Sequence, residues 1–154
     1  MADTDTPTID AAVHRQLAVD LFNHVWTLMG TPDRTREEDT EMIHAAHASR
    51  HHWGEVGTPV NFARGEWQVS RVYSVLGRGE PALVHARLCL DTCVEHGIGD
   101  FDIAYAHEAM ARAYGVLGDQ AESTAHAEEA RRATAGIADP DDREHAVEDI
   151  AELL

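Results

Sequence analysis

Lysine is missing from this chain: all twelve basic residues are arginine, set against 28 acidic ones, for a formal charge of −16. A field of that sign repels phosphodiester backbones and anionic lipid headgroups, so neither nucleic acid nor a membrane surface is expected as a partner. Arginine in place of lysine follows from a GC-rich coding bias or from a salt-adapted surface, and neither bears on activity. Aromatic residues are few, at 6%, and alanine supplies much of the 44% apolar content. That balance favours closely packed helices over a β-sandwich. Two cysteines, Cys89 and Cys93, are too few for a disulfide framework and fit a reducing compartment. No stretch approaches the roughly 20 apolar residues of a membrane span, and the acidic, polar start is unlike a secretory signal. A cytoplasmic protein is expected, with residues 1–9 as a disordered tail and residues 10–154 as one domain.

Period-two alternation is also missing, so no strands are expected. Helix signals are regular instead. Residues 10–29 place Val13, Leu17, Leu21, Val25 and Leu28 along one stripe. Thr35-x-x-Glu38 is a capping box opening a second helix that ends near Trp53 and Gly54. Thr58 and Pro59 start a third helix that Gly77 stops. Glu80-Pro81 opens a fourth, residues 96–102 read as a loop, and helices follow over about 102–117, 119–136 and 141–154.

Two of these segments are alike. Arg71, Tyr73, Val75, Leu76 and Gly77 recur 41 residues on as Arg112, Tyr114, Val116, Leu117 and Gly118. Self-similarity on this scale marks a helical array. Tyr73, Gly77, Ala82, Ala86 and Cys89, then Ala111, Tyr114, Gly118, Ala127 and Ala130, resemble the tetratricopeptide repeat. Phe22, Trp26 and Gly30 fit more loosely, and the stretch from His47 to Trp67 is similar to a segment of small bacterial proteins of this type. The resemblance implies an all-α, right-handed superhelix of about three helix pairs with a C-terminal capping helix. The spacing exceeds that family's roughly 34 residues, and the loop at 97–102 absorbs the excess.

In such arrays the first helix of each pair lines the concave face, and positions thirteen, ten and six before the glycine usually meet the ligand. Those positions are Arg64, Trp67 and Arg71 before Gly77, Tyr105, Glu108 and Arg112 before Gly118, and Leu17, Asp20 and His24 before Gly30. Asn61 stands near the same mouth or solvates the helix start. Guanidinium forks suit carboxylate or phosphate, and Trp and Tyr offer stacking area, so the expectation is a binding or adaptor module for an acidic peptide or a small anion. Internal pairing of Arg71 and Arg112 with Asp20, Glu66 or Glu108 is the structural alternative, as is core packing for Trp67.

Eleven histidines carry a competing expectation. His44, His47 and His51 share a helix face, and His24 or Glu55 completes a Zn, Cu or Ni site in a metal-binding protein or metal-dependent enzyme. Glu41-x-x-His44 copies one half of a di-iron carboxylate motif, but the chain has no second Glu-x-x-His. His85, Cys89 and Cys93 form another stripe, in which cysteine as a small buried residue competes with soft-metal binding. No cofactor is required by any motif: there is no phosphate loop, serine elbow or dinucleotide fingerprint. A homo-oligomer that buries its own groove is the third possibility.

Overall fold

The computed structural model describes residues 8–154; most of the expected tail, residues 1–7, lies outside them. Seven α-helices follow in order: α1 (Ala11–Met29), α2 (Arg36–Val56), α3 (Pro59–Val75), α4 (Gly79–Glu95), α5 (Asp100–Leu117), α6 (Gln120–Ala133) and α7 (Pro140–Ala151), with one 3-10 turn at Thr134–Gly136. Among the described residues there is no strand, and no helix is long and apolar enough to cross a membrane.

The ends of the helices follow from local chemistry. Asp10 caps α1 by accepting from the Ala12 N–H at 2.9 Å. The Thr35–Glu38 box closes in both directions, at 3.1 and 2.8 Å. Gly77 and Gly118 adopt left-handed backbone (φ 72° and 81°). That turn lets the following amide reach back to the carbonyls of Tyr73 and Tyr114, at 2.8 and 3.0 Å, which is why glycine recurs there. Gly97 does the same after α4, with Ile98 N–H donating to Cys93 at 2.8 Å. The tight closure shortens the expected loop, and α5 begins at Asp100 rather than 102. Asp100 and Asp102 are not simple caps: Asp100 accepts from Ala138 N–H at 3.1 Å, tying down the chain after α6, and Asp102 receives Arg64.

Consecutive helices pack as pairs, α1 with α2, α3 with α4 and α5 with α6, while α3 also meets α5 across one layer. Three cores run down the array. Val25, Leu28, Met42, Val69 and Val72 fill the first; Ala63, Ala86, Cys89, Cys93, Ala106 and Met110 the second; Ala104, Ala130, Ile137, Ala146 and Ile150 the third. Alanine lets the backbones approach closely enough for side-chain hydroxyls to reach neighbouring carbonyls. Ser70 Oγ donates to Ala82 O, and Ser123 Oγ donates to Ala111 O, both at 2.8 Å. Measured from Gly77 and Gly118, these bonds join the same two positions with donor and acceptor exchanged. Both cysteines are buried, each a small apolar group in the second core.

Candidate functional site

Trp67, on α3, touches the second and third cores and stands at the edge of an open groove. The groove's central cavity, about 380 Å³, is lined by Trp67 and Arg71 of α3, Tyr105, Glu108 and Arg112 of α5, and Trp26, Phe101, His145 and Asp149. Five residues expected from the glycine spacing therefore do come together. A second cavity of about 340 Å³ shares Arg71 and Arg112 and continues past Ser74, Val75, Gly115, Val116 and Leu153.

At the centre lies Glu108, 1% exposed. Its Oε1 accepts from Arg112 Nε and, at 3.3 Å, from Arg71 Nη1; its Oε2 accepts from Trp67 Nε1 at 3.2 Å. A buried carboxylate needs such partners, and one carboxylate serves two arginines here. Burial and the neighbouring Arg112 charge both lower the Arg71 pKa, with Glu108 opposing them. Arg71 Nε and Nη2 and both terminal nitrogens of Arg112 have no protein acceptor among the described residues. Across the cavity the Tyr105 hydroxyl donates to Asp149 Oδ2 at 2.7 Å; burial, then that bond, raises the phenol's pKa. Tyr105 meets Trp67 edge-on at 5.7 Å and packs on Phe101 at 4.4 Å, and Trp26 approaches Trp67 at 5.5 Å. The result is an aromatic wall beside a paired guanidinium face.

Five expected positions lie elsewhere; Leu17 of α1 lines neither cavity. Arg64 forms a two-pronged pair with Asp102, at 2.8 and 3.0 Å, and with Asn61 borders a separate cavity of about 180 Å³. The Asn61 side chain accepts from Thr58 N–H at 3.0 Å, so it serves the helix start. Asp20 is exposed and bonded to Gln16, and His24 is exposed and 3.7 Å from Glu41 of α2. Counting back from the glycine fails on α1 because Gly30 has ordinary helical backbone (φ −79°), unlike Gly77 and Gly118. On α1, Trp26, two positions along from His24, lines the groove's central cavity, while Val19 and Phe22 border the separate cavity with Arg64 and Asn61. Trp26 was visible in the repeat pattern, whereas Phe101 read as loop, and Asp149 has no glycine after it to be counted from.

The histidines are dispersed. His47 Nε2 lies 2.9 Å from the Tyr73 hydroxyl; His51 packs on His52, whose Nδ1 is 2.8 Å from His14 Nδ1; His44 borders an acidic surface hollow. Desolvation, then the His85 charge, lowers the His47 pKa. Among the described residues no three His, Cys, Asp or Glu side chains are arranged to hold a metal ion. The expected set of His24, His44, His47 and His51 thus does not converge, because α1 and α2 turn those rings toward different neighbours. Glu66 is engaged on this side of the molecule by Arg50 Nε at 2.9 Å and His85 Nδ1 at 2.6 Å, not by Arg71.

No family model matches the chain, and no curated protein or solved structure does either. The structure shows an all-α chain of helix pairs, compatible with a helical repeat, with an arginine–aromatic groove along one layer.

Proposed function

We propose that this protein is a tetratricopeptide-like binding module whose concave groove takes a carboxylate-bearing ligand, an acidic peptide or a small organic anion. The sharing of Glu108 between Arg71 and Arg112 carries this reading. Arg71 and Arg112 are part-buried, share one carboxylate, line both cavities and keep N–H donors without a protein acceptor among the described residues. A planar donor fork in a partly desolvated site suits a second carboxylate, supplied by the ligand. Trp26, Trp67, Phe101 and Tyr105 give flat apolar area beside it. Asp149 offsets part of the positive charge, which favours a single carboxylate beside an aromatic or apolar group over a dense run of acids.

The test is a binding screen of blocked hexapeptides carrying Glu or Asp next to Tyr, Phe or Leu, each paired with its Gln or Asn copy, with citrate and benzoate as small-anion arms. The acid member of a pair should bind more tightly, and Arg71→Ala should weaken it by about 10- to 100-fold, the worth of a hydrogen bond to a charged group. Preference for peptides or for the small anions identifies the source of the carboxylate. Equal binding of acid and amide copies, or an unaffected Arg71→Ala, would remove the proposal.

A further inference from the structure

The aligned glycines also organise a second set of side chains, none of which lines the groove cavities. Four residues before each stands Tyr73 or Tyr114, eight after stands His85 or His126, and eleven before stands Glu66 or His107. The first two positions behave alike in both pairs. Tyr73 stacks on His85 at 5.9 Å with planes 20° apart, and Tyr114 on His126 at 5.7 Å with planes 14° apart. The third position divides them. Glu66 Oε2 meets His85 Nδ1 at 2.6 Å, whereas His107 Nδ1 meets His126 Nδ1 at 3.2 Å.

These contacts differ in what they ask of the ring. The Glu66 carboxylate supplies an acceptor oxygen to His85, so that contact never needs a ring nitrogen to stay unprotonated. Two facing ring nitrogens need one donor and one acceptor. One extra proton can be held on the donor ring's far nitrogen; a second removes the acceptor and sets two cations against each other. The 5.5 Å centroid separation equals the nitrogen gap plus two ring radii, so the nitrogens point straight at one another, as in a hydrogen bond.

We propose that His107 and His126 form an acid-sensitive clasp, holding α6 against α5 near neutral pH and releasing it when both rings are protonated, while Glu66–His85 keeps α3 joined to α4. The surrounding charges are mixed. Glu122 and Glu129 of α6 favour the imidazolium forms; Arg132 of α6 and Arg87 of α4 oppose them, and Arg132 already engages Glu129. Tyr114 of α5 covers one face of His126 and is itself held by Arg87. Desolvation is the largest influence on both rings and lowers both pKa values from 6.5. The folded chain therefore binds fewer protons there than the unfolded one. The clasp's contribution is complete above pH 6.5 and falls away as pH drops through the folded-state values. Because α7 rests on α5 and α6, release also loosens the wall that carries Asp149. The clasp itself does not depend on the groove binding anything.

The test combines histidine ring NMR titration with amide hydrogen exchange on the full chain. His107 and His126 should titrate below the ~6.5 of a free imidazole. Between about pH 7.5 and pH 5, after correction for intrinsic rates, α6 amides should open at least ~10-fold more than α3 amides. His107→Glu, which copies the Glu66–His85 couple, should abolish that difference, and His126→Gln should do so as a second variant. Both rings titrating near 6.5, α6 and α3 opening in step, or an undiminished difference in folded His107→Glu and His126→Gln proteins would overturn the clasp.

Discussion

Replacing Glu108 by Gln tests whether one buried carboxylate organises the groove. The substitution keeps shape and volume but removes the charge and turns one acceptor oxygen into an NH2 group. That group would face N–H donors of Arg71 and Arg112 or of Trp67. Breaking a buried ion pair from one side costs about 3–5 kcal/mol, because the remaining charge is left uncompensated. Here Arg71 and Arg112 are 28% and 19% exposed, so water partly solvates them and the lower end applies, about 3 kcal/mol. For a chain of this size that is a fall in Tm of about 6–12 °C. Arg71→Ala is the contrast: Glu108 keeps Arg112 and Trp67, and the expected cost is about 1 kcal/mol. Urea and thermal melts of both variants, followed by far-UV circular dichroism, decide the matter. A loss below about 1 kcal/mol for Glu108→Gln, or an equal loss for Arg71→Ala, would refute this division of labour between an organising carboxylate and a ligand-facing arginine.

Three glycine substitutions probe the supports of the array. A Cβ on Gly65 would stand 2.7 Å from Arg50 Cδ, so Gly65→Ala should displace the arm that reaches Glu66 and cost about 1–3 kcal/mol, read from urea midpoints; a neutral result would contradict that packing. Gly118→Ala should cost about 1–2 kcal/mol because its backbone is left-handed, whereas Gly30→Ala, in helical backbone with ordinary room for a methyl, should be neutral or slightly stabilising; equal effects would contradict the different roles of the two glycines.

Local chemistry made most of the fold legible. Capping residues, glycine stops and the apolar stripes placed the seven helices to within a few residues, since each signal acts over one turn. The groove on α3 and α5 was legible for the same reason: Gly77 and Gly118 perform one backbone task, so equal offsets reach equal faces. Gly30 shares the letter without the conformation, and sequence alone does not reveal φ. Asp20 and His24 were misplaced on that account. What stayed hidden was long-range. Nothing local to Arg64 indicates that Asp102, 38 residues away, will take it. Nothing in the crowding of histidines on α2 reveals that His47 turns to Tyr73 while His52 turns to His14. The entry of α7 into the groove wall depends on its Ala146 and Ile150 packing with Ala104, Ala130 and Ile137, and no repeat signal precedes it.

Whether Arg71 and Arg112 donate to a ligand carboxylate is decided by titrating 15N-labelled protein with the best acidic peptide or small anion from the binding screen. The Nε–Hε and terminal N–H resonances of Arg71 and Arg112 and the Nε1–H resonance of Trp67 are followed, with the amide copy of the ligand as control. Saturable shifts are expected, confined to Arg71, Arg112, Trp67 and their neighbours across the groove, and absent with the amide copy. Shifts scattered over other arginines, or the same response to both ligands, would contradict donation to the carboxylate.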